Sequence, residues 1–517
     1  MKRIGIDVGG TNTDAVLIED GKVAGAVKAP TSEDVTTGIL DSLKSLGATG
    51  VLKGKRIDGV MIGTTHFINA VVQRRQLTRV AALRLGMPAS ASLPPFCDWP
   101  EDLANLVRGG VWMVEGGHEY DGRLFMPLDE AAVTKAAQEM KAAGLKSVGI
   151  SSIFSPLDPS HEKRAAELVM AVIPDAAITC SSDLGRIGLL ERENAGLLNA
   201  ALADLASETI AAFETAIQES GIAAPLFITQ NDGTVAEAGQ ARRLPVYSFA
   251  SGATNSMRGA AYLSGLADAM VIDVGGTTTD VGQLKHGFPR EANSVVKVGG
   301  VRTLFRMPDL LSIGLGGGSH VSLESAEEGP LKVGPVSVGY RLLKDGVAFG
   351  GKQLTTTDIA VATGLLELGD RKKVAYLDQA TCKKVLAEAA RLAEEAIDRM
   401  KTEAGDVPLI AVGGGAFLIP EKLPGVSKVI HVEHGDCANA VGAAIAQVSG
   451  ECDQIFKDMS RRDAIAAAQG IANDRAVAAG ADRKTLGTIE SEDMPLAYLP
   501  GNSVRVRVRV VGDVAAG

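Results

Sequence analysis

The stretch IDVGGTNTD at residues 6–14 returns as IDVGGTTTD at residues 272–280, differing only in Asn12 against Thr278. Each copy opens on a short β-branched apolar run, Arg3 to Val8 and Met270 to Val274, that stops at a Gly-Gly pair. Each is followed by a second run, Asp14 to Ile18 and Asp280 to Leu284. Apolar runs on either side of a turn predict a β-hairpin rather than a strand leading into a helix. Copies that begin at residues 6 and 272 lie far beyond the ~20–50-residue period of a solenoid. The repeat predicts two large halves opening on the same device.

That device suits phosphate. A phosphate chain needs backbone N–H donors at close range, which glycine permits, and neighbouring threonine hydroxyls add donors or reach a metal ion. Gly9-Gly10-Thr11 and Gly275-Gly276-Thr277 supply this twice, with Thr13 and Thr278 beside them. Asp7 and Asp273 stand just before the glycines, and Mg²⁺ prefers one or two carboxylates with water and phosphate oxygens. The two aspartates are therefore the candidate catalytic and metal residues. A Walker-type P-loop is excluded because no G-x-x-x-x-G-K-[ST] occurs, and the Gly316-Gly317-Gly318-Ser319 stretch fits Rossmann spacing poorly, so NAD is not expected.

The rest of the chain sets the frame. Its 517 residues suggest two to four structural units. A hydrophobic fraction of 46% with 22% charged residues is that of a globular protein. The net charge of −10 argues against nucleic acid or an anionic membrane as the main partner. Five scattered cysteines without C-x-x-C spacing fit a reducing compartment. Asp7 breaks any signal-peptide core, no apolar run is long enough to span a bilayer, and a cytoplasmic protein is expected. Glycine, at 60 of 517 residues, exceeds the ~7% typical of proteins, so many segments turn tightly or approach something closely. Helical patterns are read at 33–46, 129–143, 160–172, 189–219, 357–366, 378–404, 437–449 and 461–479. The alternating Val504 to Val510 run, with its outward arginines, reads as an edge strand.

Two hairpins of this kind, followed by the strand and turn Ala411-Val412-Gly413-Gly414-Gly415-Ala416, resemble the actin-like ATPase fold of sugar kinases and chaperone ATPases. The resemblance implies a two-lobed α/β fold of the ribonuclease H-like kind, with an interlobe nucleotide cleft. Gly413, Gly414 and Gly415 would be its adenosine motif, and the helices near 193–204 and 438–447 its interdomain connections. The expected division is a first lobe at 1–190, a second at 191–450 and an extension at 451–517.

Four further segments, IGTTHFINAVVQRR at 62–75, LLERENAGLLNAAL at 189–202, ITQNDGTV at 228–235 and SIGLGGGSHV at 312–321, resemble the hydantoinase A/5-oxoprolinase family. That resemblance implies ATP-dependent opening of a cyclic amide such as a hydantoin, oxoproline or lactam, or else activation of a ketone for carboxylation. It also implies Mg²⁺ and a second, hydantoinase B-like subunit, and about 67 residues follow the core where the family often carries more. A homo-oligomer is possible. A chaperone-like reactivating ATPase and a small-molecule kinase share the same hairpins and stay open as alternatives.

The physical need for ATP is plain, since a resonance-stabilised amide is a poor electrophile and phosphorylating its oxygen makes it one. Candidate substrate residues are Thr64, Thr65 and His66 at a strand end, Asn231-Asp232 in a turn, and Gly316 to Ser319, whose backbone amides could grip a carbonyl or phosphate. Glu191 or Glu193 could orient the attacking water, although acids at a helix start also serve its dipole. The His431, His434, Asp436 and Cys437 cluster reads as a helix start capped by Asp436.

Overall fold

The computed structural model describes residues 1–9, 12–30, 35–184, 187–292, 295–323, 330–496 and 501–515. The strand Lys2–Val8 is buried from Arg3 onward. It pairs antiparallel with Asn12–Glu19 and parallel with Gly59–Thr64. Burial on both faces explains the nearly unbroken apolar run. Gly5 interrupts it because a helix lies across the strand: a methyl there would overlap the Ala440 carbonyl of helix Ala438–Ala444.

Nine strands make this sheet, in the order Lys22–Pro30, Asn12–Glu19, Lys2–Val8, Gly59–Thr64, Leu226–Thr229, Thr234–Glu237, Gln447–Phe456, Val504–Gly512, Gly487–Pro495. Its strands thus come from the stretches 1–190, 191–450 and 451–517 alike. A second sheet runs Phe288–Pro289, Thr279–Lys285, Ala269–Val274, Val407–Val412, Val426–His431, with Leu310–Ile313 also paired to Thr279–Lys285. The duplicated motif is a hairpin in both sheets and keeps one register, Asp7 opposite Asp14 and Asp273 opposite Asp280. A separate four-stranded parallel sheet, Arg108–Glu115, Val80–Met87, Ser147–Ser152, Ala177–Cys180, forms a third unit with its own core.

Three expectations change. The helix read at 189–219 breaks at Leu202 into Leu189–Ala201 and Ala203–Glu219, where the Thr78 amide takes the Ala201 carbonyl at 2.8 Å and draws it out of the helical ladder. The strand Val504–Gly512 is no edge, since it lies between Gln447–Phe456 and Gly487–Pro495. Its valines pack with Ala464, Ala468 and Ala472 of helix Arg461–Ala478. Its arginines meet acids: Arg505 binds Asp453 at 2.6 Å, Arg507 binds Glu291 at 2.8 Å and Glu490 at 3.0 Å, and Arg509 binds Glu291 at 2.8 Å. The third change concerns the connecting helices. Helix Ala438–Ala444 crosses Ser251–Ser264, whereas Leu189–Ala201 packs on the parallel sheet. Glycines permit the crossing, because a methyl on Gly442 would overlap the Asn255 carbonyl and one on Gly259 the Ala438 carbonyl.

No helix among the described residues is long and apolar enough to cross a membrane.

Candidate active site

The two hairpin turns close alike, Gly9 N donating to Asn12 O at 3.1 Å and Gly275 N to Thr278 O at 2.9 Å. Gly10 and Thr11 lie outside the described residues. In the second turn Gly276, Thr277 and Thr278 are exposed. Their amides donate to no protein atom among the described residues. Thr13 is buried within its strand.

The Gly316–Ser319 loop sits beneath that turn. Gly317 N donates to Gly275 O at 3.0 Å, Gly318 N to Gly276 O at 2.7 Å, and Gly316 N to Ser319 Oγ at 2.9 Å. Two of these amides are spent on the hairpin and the third within the loop, so they do not grip a substrate carbonyl as expected; the loop carries the hairpin turn instead. The loop is in turn fastened to helix Thr356–Thr363, whose Thr357 hydroxyl donates to Gly317 O at 2.7 Å. A Thr355/Asp358 capping box starts this helix and Gly364, left-handed, ends it.

Gly413 has φ +88 and Gly415 N donates to Val274 O at 2.7 Å, so the third glycine turn lies against the second hairpin's first strand. A methyl on Gly413 would overlap Asp273 Oδ1. Gly414 is exposed with open space around its Cα.

Asp7 and Asp273 come together. Asp7 is buried and Asp273 half-buried, and each carboxyl feels the field of residues from the other hairpin: Asp273 raises Asp7, and Asp14 raises Asp273. Burial, then Asp14, pushes the Asp7 carboxyl up to about 7. Burial, then Asp280, pushes Asp273 up to about 6. Like charges directly opposite on a hairpin are unfavourable, and Lys28, 3.4 Å from Asp14, offsets part of the cost at both aspartates. Two under-neutralised carboxylates beside exposed N–H groups fit a divalent cation carrying phosphate.

Around Asp7 stand groups that the motif reading missed. Asn439 Nδ2 donates to Asp7 Oδ2 at 3.0 Å. Asn255, fully buried, donates to Thr229 Oγ1 at 2.9 Å, and a methyl on Gly63 would overlap its amide while lying 2.9 Å from Asp7 Oδ1. The Ser256 hydroxyl lies beside Asp273 and favours its charged form. The available signal was a polar residue interrupting a small-residue helix, as in SGATNSM and CANAVGAA.

Thr64 ends the strand next to Asp7; its carbonyl accepts from Ser251 Oγ at 3.2 Å and its hydroxyl from His66 N at 3.1 Å. Thr65 stands at the N-cap position of helix His66–Gln73 without a side-chain cap bond, its hydroxyl accepting from Asn69 at 3.3 Å. Burial holds the His66 imidazole below its usual value.

Other candidates lie elsewhere. Both Glu193 oxygens are held by Arg84, with Ser151 donating at 2.5 Å to one of them. It is the buried counter-ion of Arg84 rather than a water-orienting base. Glu191 pairs with Arg302 at 2.7 Å. Asn231 is a structural brace, binding the carbonyls of Val246 and Arg306 and the amide of Ala250. Asp232 accepts from Thr234 and faces Arg306 and Arg509. These two residues line a crevice of ≈ 1090 Å³ between the parallel sheet and the C-terminal strands. Among the described residues Asp436 caps nothing by its side chain; its carbonyl accepts from Lys28 at 3.0 Å, and helix Ala438–Ala444 has Cys437 at its N-cap position without a side-chain cap.

The chain is similar to known proteins over most of its length. The Hydantoinase/oxoprolinase N-terminal region matches residues 3–173, and the Hydantoinase/oxoprolinase model matches residues 192–451. The caprolactamase subunit alpha of Pseudomonas jessenii is 28% identical over 404 residues, 71% of this chain and 55% of that protein. The acetophenone carboxylase gamma subunit of Aromatoleum aromaticum is 25% identical over 398 residues, 71% of this chain and 53% of that protein. The chain thus spans about half the length of the curated relatives it matches. The crystal structure of the ATP-dependent caprolactamase from Pseudomonas jessenii covers 99% of this chain, and this chain 88% of it, at TM-score 0.77 and 20% identity. The expected α/β fold is met, and it is the fold of that caprolactamase. The chain belongs to the hydantoinase/oxoprolinase family.

Proposed function

We propose that the chain is an ATP-dependent cyclic-amide hydrolase or the ATPase subunit of one, activating the amide oxygen by phosphorylation. The observation that carries this reading is the convergence of Asp7 and Asp273, each at the mouth of a Gly-Gly hairpin, on one electrostatic neighbourhood. The unpaired amides of Gly276, Thr277 and Thr278 are free to donate to phosphate oxygens. Gly9, Gly10, Thr11 and Thr13 of the first hairpin would border the same phosphates, and the turn at Gly413 to Gly415 would border the adenosine. Asp7 and Asp273 would hold Mg²⁺, which when bound supplies charge neutralisation for the phosphoryl group. Phosphoryl transfer of this kind is mostly positioning, which suits turns braced from below by the Gly316–Ser319 loop. Thr64, Thr65 and His66, at the end of the strand beside Asp7, would meet the acceptor. A neutral His66 at physiological pH would donate or accept a hydrogen bond without adding charge.

The named function of the relative caprolactamase subunit alpha supports the amide reading. Its description as a subunit supports a second chain, for which a hydantoinase B-like protein is the expected partner. The likeness to an acetophenone carboxylase subunit favours ketone activation as the second reading. The deciding experiment measures ADP and phosphate release by the purified chain with cyclic amides, or with ketones plus bicarbonate, each with and without the genomically neighbouring protein. Ring-opened product together with ADP supports the first reading and carboxylated ketone the second. A stable phosphorylated product with no free phosphate would overturn both.

A further inference from the structure

We propose that Asn439 is a positioning residue that holds the Asp7 carboxylate for a divalent cation, an inference that rests on the reading above. Asn439 stands in the first turn of helix Ala438–Ala444 and reaches Asp7 from a part of the chain more than 400 residues away. Its amide donates to Oδ2 at 3.0 Å and makes no other side-chain hydrogen bond among the described residues. No described residue donates to Oδ1, which lies toward Gly63 and Gly252, where added methyls would come within 2.9 Å and 3.9 Å. One oxygen of the carboxylate is therefore anchored, and the other takes no donor among the described residues.

The anchor is set at a fixed height. Three backbone contacts that only glycine allows seat its helix: Gly5 under the Ala440 carbonyl, Gly442 against the Asn255 carbonyl, and Gly259 against the Ala438 carbonyl. The helix that carries Asn439 thus cannot shift without moving both the hairpin strand and helix Ser251–Ser264. Asp7 is 6% exposed and faces Asp14 in register, an environment that opposes a charged carboxylate. A cation needs that charge, and an amide donor to the ligand's far oxygen both favours it and orients it.

The test compares ATP binding by titration calorimetry in EDTA and in Mn²⁺, alongside Mn²⁺ binding followed by electron paramagnetic resonance. Asn439→Leu removes the donor at similar volume, and Asn439→Ala serves if the leucine variant does not fold. Loss of such an outer partner typically weakens metal binding by about 10–100-fold. The metal-dependent gain in ATP affinity should fall by that factor, with melting temperature and metal-free ATP binding unchanged, and Asn439→Gln should restore part of it. An unchanged metal-dependent gain overturns the inference, as does an equal loss of metal-free binding, which would mark a structural role. A wild type that binds ATP no better with metal than without overturns the functional reading and this inference together.

Discussion

Asp7 and Asp273, which open the two copies of one nine-residue motif, lie close enough that the second carboxyl raises the pKa of the first. The duplication thus folds back on itself and converges on one site. Each copy carries its own opposing acid, Asp14 or Asp280, so the charge problem is built into the hairpin, and the facing copy adds to it in smaller measure.

The first prediction follows from that charge. Folded values of about 7 for Asp7 and about 6 for Asp273 exceed the ordinary 3.8, so the fold favours their protonated forms. The stability this lends is fully present below about 3.8 and is lost as pH rises through about 6 to 7. Metal-free protein should melt at progressively lower temperature from pH 4 to pH 7.5, and Asp7→Asn should flatten that slope. Near pH 8 the variant should be more stable by about 1–3 kcal/mol while turning over ATP about 10²–10³-fold more slowly. Calorimetry and a phosphate-release assay read the two effects separately.

Glycine substitutions should divide by what faces them. Gly442→Ala must force helix Ala438–Ala444 away from the Asn255 carbonyl, and overpacking of this kind costs about 1–3 kcal/mol or more. Gly470→Ala, in the middle of helix Arg461–Ala478 with nothing near its Cα, should instead stabilise by about 0.5–1 kcal/mol. Urea unfolding of the two variants checks both signs.

Glu193→Gln breaks a buried ion pair with Arg84, and removing one partner of such a pair costs about 3–5 kcal/mol. The variant should unfold at lower urea yet, while folded, hydrolyse ATP at the wild-type rate. Selective loss of turnover at unchanged stability would return Glu193 to catalysis.

The C-terminal strands should show an acid limit. Burial works to raise Glu291, but Arg306, Arg509 and Arg507 together hold it at about 2. Its contribution is present above the unfolded value near 4.5 and is lost as pH falls toward 2. Hydrogen exchange at strand Val504–Gly512 should accelerate across that window, and Glu291→Gln should bring the acceleration to neutral pH.

What the sequence determined by itself was everything local and repeated. A β-branched run halted by Gly-Gly can only turn there, so the hairpins, the aspartates at their mouths and the order of the three glycine turns were legible from spacing. The strand 407–412 and its turn followed for the same reason. Side-chain chemistry that depends on a distant partner was not legible. Glu193 looked like a base until Arg84 was placed on it, and the amides of Gly316 to Gly318 looked free until the Gly275 and Gly276 carbonyls occupied two of them. The arginines of Val504–Gly512 looked solvent-bound until Glu291, Glu490 and Asp453 faced them. Nor did any pattern reveal that the strands of 447–512 rejoin the N-terminal sheet, or that Asn439 meets Asp7. Those relationships are set by helix crossings that glycine makes possible at Gly5, Gly259 and Gly442. Close approach between segments hundreds of residues apart is a property of the packed chain, because a glycine in a sequence shows only that something may come near and never what does.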